Sequence, residues 1–288
     1  MTEFDGLPVL RSPVLIASFE GWNDAADAAT AAVDHLRLAW KARKIDEVDP
    51  ETYYDFQVTR PNVSMSDAGP GDIEWPTSRF YLCETPEAER DVVLLRGIEP
   101  NMRWKNFCDE ILDVCHRLEV DQLVLLGALL ADVPFSRPLP ITGTASDPGL
   151  LSRLALTPTK YEGPTGVVGV LHEAAARAEI DTVSFWAHVP HYASQPPCPK
   201  ATLGLLHRVE EVLDLPVPTG ELAVDSSDWE EQVRELIESD SEIAEYVQSL
   251  EQRDGEAGLE ALSGDEIAKE FEKYLRRRGG GSTPPSGR

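Results

Sequence analysis

The stretch YEGPTGVVGVLHEAAARA, residues 161–178, sets three glycines at a spacing of three, Gly163, Gly166 and Gly169, at the start of a helical apolar pattern. Glycine turns that open a helix hold phosphate, because free amides and the helix dipole both favour an anion. A phosphate loop of the GxxxxGK[ST] kind also needs a lysine for the outer phosphates and a hydroxyl for magnesium. Val167 and Val168 stand where those residues would be, so this is not such a loop. A plainer reading has Pro164 fixing a turn, Thr165 capping the helix and Gly169 allowing close packing. The amides at the helix start still suit some other anion.

Further polar residues follow apolar runs of strand length, where open α/β sheets place their sites. Glu20 and Asn23 come after PVLIASF (13–19), Arg96 and Glu99 at and beyond the end of DVVLLRG (91–97), and His188 and His191 close to the end of DTVSFWAHV (181–189). With Glu162, Gly163 and Gly166 from the glycine turn they form a candidate binding rim. Arg96 and the helix start would take an anion, and Glu20, Glu162 or His188 would move a proton. Each residue also has a structural reading: Asn23 as a helix cap, Arg96 with Glu99 as an ion pair, the histidines of HVPH as backbone partners. No GxSxG elbow is present, and the proline inside HxxH forbids the helical spacing of a zinc pair. Cys83, Cys108, Cys115 and Cys198 form no CxxC; Cys108 and Cys115 share a helical face as small core residues. No catalytic residue, metal or cofactor is assigned.

Positioning such a rim takes strands that alternate with helices. Besides the three runs above, QLVLLGALL (122–130) reads as a strand buried on both faces. DAADAATAAVDHLRLAW (24–40), a segment from about 103 to 118, and one from about 200 to 213 read as helices, with Asn23 capping the first. TYYDFQV (52–58) and SRFYLCE (78–84) read as paired strands. The fold class expected is α/β, a largely parallel twisted sheet flanked by helices over residues 1–220. Residues 221–278 read as an acidic three-helix appendage packed on or beside that core. Capping boxes at Ser227–Glu230, Ser239–Glu242 and Ser263–Glu266 would open its helices. Their apolar stripes are Trp229/Val233/Leu236/Ile237, Ile243/Val247/Leu250 and Ile267/Phe271/Tyr274/Leu275. Residues 279–288 read as a flexible tail.

The chain of 288 residues carries a net charge of −25, which argues against a nucleic-acid backbone as partner. Residues 221–275 alone hold 18 acidic and 4 basic side chains, a surface for a basic partner or a solvated face. With no signal-peptide pattern at the start and no 18-residue apolar run, the expected setting is the cytoplasm, away from membrane.

Four stretches, FEGWNDAADAA (19–29), RGIEPNMRW (96–104), YEGPTGVVGVL (161–171) and HVPHYASQPPCPKATLGLL (188–206), together resemble the proteasome assembly chaperone family in its actinobacterial branch. The likeness runs from about residue 12 to 275. It implies a fold similar to that of nucleoside phosphorylases. Eukaryotic and archaeal relatives bind proteasome subunits, without known catalysis or cofactor. The resemblance therefore implies a non-catalytic, homo-oligomeric protein with a proteasome-related protein partner. Residues 279–288, GGGSTPPSGR, lack the hydrophobic–Tyr–X signature by which such chaperones often recognise clients. The alternative is a small-molecule-binding protein or enzyme, phosphorylase- or hydrolase-like, that uses the polar rim.

Overall fold

The computed structural model describes residues 9–66, 69–85, 89–156 and 161–253. In chain order the elements are β1 (Val14–Glu20), α1 (Ala28–Ala39), β2 (Arg43–Glu47), α2 (Pro50–Tyr53), β3 (Asn62–Ser66), β4 (Gly69–Glu74) and β5 (Arg79–Leu82). There follow β6 (Val92–Ile98), α3 (Trp104–Arg117), β7 (Gln122–Ala131), β8 (Ile141–Ala145), α4 (Pro148–Arg153) and α5 (Val167–Arg177). The last are β9 (Asp181–Pro190), α6 (Pro199–Leu213), α7 (Leu222–Ser239) and α8 (Ser241–Arg253).

Seven strands form one mixed sheet in the order β2-β5-β6-β1-β7-β9-β8. The four apolar runs are its centre: β6, β1, β7 and β9 are parallel neighbours. Helices cover both of its faces, which is why these strands read as continuous rather than alternating. The antiparallel strands β5, β2 and β8 complete the edges. The outermost, β2, has the sequence RKIDE, and charge on an edge strand discourages stray pairing.

Val14, Ile16, Leu94, Val124 and Phe185 face α1, α6, α7 and α8 on one side. Leu15, Phe19, Leu95 and Leu125 face α3 and α5 on the other. Ala28, Ala29 and Ala32 are fully buried, so α1 lies close against the sheet and α6. Thr202 on α6 donates to the Ala28 carbonyl at 3.2 Å across that contact.

Three local expectations are corrected. Residues 52–58 are not a strand: Asp49 accepts from the Glu51 amide at 3.2 Å, Pro50 opens α2, and Tyr53 and Tyr54 turn inward. β5 therefore pairs with β2 and β6. Helix α7 starts at Leu222, so Ser227 lies inside it and bonds the Ala223 carbonyl at 3.1 Å. Helix α8 is capped by Asp240, whose Oδ1 accepts from Glu242 at 2.9 Å and Ile243 at 3.3 Å, while the Ser239 hydroxyl bonds Leu236. The third capping box and its stripe lie outside the described residues.

Trp229, Val233 and Val247 are buried in the same apolar cluster as the sheet, and Leu250 is buried as well. Polar clamps hold the two helices there: Lys200 to Glu230 at 2.5 Å and Ser136 to Glu251 at 2.6 Å. Among the described residues no helix is long and apolar enough to cross a membrane. Trp229→Ala is expected to lower the stability of the whole chain by about 3 kcal/mol. In urea that appears as an earlier midpoint at unchanged slope; a separate early transition would show α7 and α8 unfolding on their own.

Candidate functional site

Helix α1 leaves β1 on one face of the sheet and α3 leaves the adjacent β6 on the other. Strand ends that diverge in this way open the crevice in which α/β sheets place ligands. Here the crevice holds the chain's own side chains. Glu99, just beyond β6, turns one carboxylate oxygen to two donors: Asn23 Nδ2 at 2.7 Å and the Val167 amide at 2.8 Å. The residue before α5, Gly166, has no side chain with which to cap it. Glu99 supplies the cap from another strand, with its charge at the positive end of the helix dipole.

The geometry leaves no room for a Cβ at Gly166, where it would strike the Asn23 carboxamide. Gly21 turns the chain out of β1 at φ +115°, a conformation that favours glycine. Asn23 is fully buried, and its carbonyl accepts from Ala128 of β7 at 2.8 Å. Its Oδ1 has no hydrogen-bond partner among the described residues. Asn23 is thus not the cap of α1. That role falls to Asp24, whose carboxylate accepts from the Ala29 amide at 2.6 Å and from Thr30. Burial pushes the Asp24 carboxyl up to about 6, against the pull of those hydrogen bonds. Nor does Thr165 cap α5, although its side chain does pack where a Cβ on Gly169 would sit.

Arg96 does not pair with Glu99. It binds Glu20 at 2.5 Å and Asp34 of α1 at 3.2 Å, on the α1 side of the sheet. His188 points to the opposite face, since its neighbours Ala187 and Val189 belong to the α1-side cluster. Its Nε2 lies 3.0 Å from the Thr142 hydroxyl, and burial lowers its pKa from 6.5 to about 4. His191 sits 3.1 Å from Asp132 and meets the Tyr192 and Tyr246 rings edge-on at 5.7 and 5.2 Å, beneath α8. Glu162 and Gly163 are exposed on the approach to α5.

The structure therefore joins Asn23, Glu99 and Gly166 in one cluster and Glu20 with Arg96 in another. It leaves His188 and His191 apart from both. Arg96 and His188, on opposite faces, do not reach one small substrate. Two open hollows lie elsewhere, about 630 Å³ between α3 and α5 and about 530 Å³ beside β3 and β4. All four cysteines are buried and free, and burial raises their thiols to about 11 or 12, which makes them poor nucleophiles. Among the described residues no cluster of three His, Cys, Asp or Glu could hold a metal ion.

Sheet order, helices on both faces and a strand-end carboxylate that caps a helix of its own chain define a mixed α/β protein. The chain belongs to the PAC2 family, whose model matches residues 18–237. It is 52% identical to a PAC2 family protein from Streptomyces avermitilis, over 82% of this chain and 99% of that one, with a TM-score of 0.77. It is 51% identical to a proteasome-assembly chaperone homologue from Mycobacterium tuberculosis, over 81% and 99% of the two chains, with a TM-score of 0.76. The Pyrococcus furiosus archaeal proteasome activator PbaB shares the fold at 16% identity, over 80% and 95%, with a TM-score of 0.64. No curated protein matches the sequence.

Glu99→Ala strips two buried donors of their acceptor and is expected to cost about 2–4 kcal/mol, whereas Glu99→Gln, which keeps an acceptor, costs less. Equal losses in chemical denaturation would show that the shared oxygen matters little. A second expectation concerns His188, whose folded pKa is depressed. It contributes stability that is present above pH 6.5 and lost as pH falls towards 4. Asp24, raised to about 6, works the other way over the lower part of that window. The variant must isolate the histidine: relative to His188→Gln, the wild type is expected to lose about 2 kcal/mol between pH 7 and 4, read from urea curves at each pH.

Proposed function

We propose that the protein works by binding another protein in a proteasome-related role, and not by catalysis. The observation that carries this reading is the filled crevice. Where a sheet of this topology offers an anion the start of a helix, Glu99 and Asn23 already occupy the place. The polar groups that remain outside, such as Arg96, are paired within the chain. Likeness to a proteasome-assembly chaperone homologue at 51% identity supports a proteasome subunit, or a regulator of the proteasome, as the partner. We place this activity in the cytoplasm. The acidic outer sides of α7 and α8 favour a basic contact on that partner by electrostatic complementarity.

The test is direct mixing of the full chain with purified proteasome core-particle subunits from the same source, followed by native mass spectrometry. A stoichiometric complex is expected, weakened about tenfold or more between 50 and 300 mM salt if the acidic helices make the contact. Absence of any complex at low salt would remove the proteasome from the proposal. A parallel thermal-shift series with phosphate and nucleosides is expected to leave the melting temperature unchanged. A saturable rise would favour the small-molecule reading instead.

A further inference from the structure

The β3–β4 hairpin is a two-stranded ribbon that pairs with none of the seven strands of the main sheet. Together with the end of β2 and the start of α2 it walls the hollow of about 530 Å³, a volume within the range of ligand pockets, about 300–1,000 Å³. Pro50, Ile73 and Trp75 give this hollow apolar walls, while Glu47, Asp72 and Glu74 set three carboxylates against one guanidinium, that of Arg79. Trp75 is 43% exposed, and Phe56 packs on its ring at 4.8 Å with the two planes tilted by 59°. An indole held by a neighbour and still open to solvent loses little freedom when it takes up a contact.

The chain's own arginine shows what these carboxylates accept. Arg79 lies 3.4 Å from both Glu47 and Glu74, long for charge-assisted hydrogen bonds, which run at about 2.7–2.9 Å. Lys44, outside the lining, reaches Glu47 at 3.1 Å. Among the described residues the Asp72 carboxylate has no ion pair or hydrogen bond. Lys44 and Arg79 offset two of the three carboxylates, so an excess of negative charge remains beside the exposed indole.

We infer that this hollow takes an arginine side chain from a segment of the partner protein, with the guanidinium stacked on Trp75 and hydrogen-bonded to Asp72 and Glu74. A planar guanidinium meets both demands at once, because it stacks on an aromatic face and forks onto carboxylates. Charge complementarity selects a cation over any other polar group, and the apolar walls shelter the contact from water. Val63 and Met65, 61% and 75% exposed on the same ribbon, suit apolar neighbours of that arginine in the partner's segment. None of the lining residues belongs to α7 or α8, so this contact is separate from any those helices make. The inference deepens the protein-binding reading above by giving the chemistry of the partner, and it rests on that reading.

The probe is the N-acetylated, C-amidated peptide Leu-Arg-Val-Arg-Leu, titrated into the full chain at about 50 mM salt, where charge contacts are weakly screened. The readout is the indole N–H signals of the six tryptophans. The Trp75 signal, identified by its loss in Trp75→Leu, is expected to move with an apparent Kd of about 1 mM or tighter. Citrulline in place of both arginines keeps the shape and removes the charge, and is expected to weaken binding about tenfold or more. The same loss is expected for the arginine peptide with Asp72→Asn/Glu74→Gln, at unchanged circular dichroism. A Trp75 signal that stays in place, or equal binding of the citrulline peptide, overturns the proposal without relying on any variant's folding. So does a wild type that ignores the peptide while Arg276→Gln/Arg277→Gln/Arg278→Gln binds it, because the chain's own basic run then fills the hollow. A core-particle complex that Asp72→Asn/Glu74→Gln leaves unchanged overturns this site alone. Peptide binding without any such complex supports the site and removes only the proteasome as partner.

Discussion

One carboxylate oxygen joins three segments that lie far apart in the sequence. Glu99 Oε1 accepts from Asn23 after β1 and from Val167 at the start of α5, and Glu99 itself follows β6. Hydrogen bonds to an ionised acceptor are roughly twice as strong as neutral ones, and here both donor residues are fully buried. The two glycines beside them are consequences of this junction. Gly166 lets α5 begin against the Asn23 carboxamide, and Gly21 lets the chain leave β1 at the angle that brings Asn23 inward. Asn23 extends the link to β7 through its carbonyl, so four elements meet at one buried amide.

The same junction settles what the strand ends can do. In ligand-binding α/β sheets, free amides at a helix start meet an anion that arrives from outside. In this chain the anion is a side chain, fixed by the fold and already bound to its donors. An incoming phosphate would have to displace a tethered carboxylate that sits at the positive end of a helix dipole. The proposed role in binding another protein accordingly falls to the outer surface, in keeping with the likeness to an assembly chaperone homologue.

Much of this architecture is legible in the amino-acid sequence. Continuous apolar runs mark β1, β6, β7 and β9 to within a residue or two, because strands buried on both faces have no other pattern to show. The glycine turn lacks the residues of a phosphate loop, but its true partner is hidden from local inspection. Nothing local connects Val167 to a glutamate 68 positions earlier. Arg96 has Glu99 as its near neighbour in sequence, while the fold gives it Glu20 and Asp34 from separate elements. Residues 52–58 resemble a strand for their aromatic content; the Asp49-Pro50 start signal upstream is the stronger cue. At Ser227 the capping box is real as a pattern, yet α7 already runs from Leu222, and a serine inside a helix simply bonds back to the preceding turn. The short charged β2 and the small, polar β8 carry too little periodicity to be read at all.

Amphipathic elements show which surfaces are spoken for. On α7 and α8 most of the apolar stripe has gone inward, with Trp229, Val233, Val247 and Leu250 buried and Leu236 left 42% exposed, and carboxylates are the commonest charged groups outside. On the β3–β4 ribbon Val63, Met65 and Ile73 are exposed, and Ile73 and Trp75 line the neighbouring hollow together with Asp72 and Glu74. Each exposed methylene forgoes about 0.8 kcal/mol of burial, so exposed Val63, Met65 and Ile73 make the ribbon a surface that a contact would stabilise.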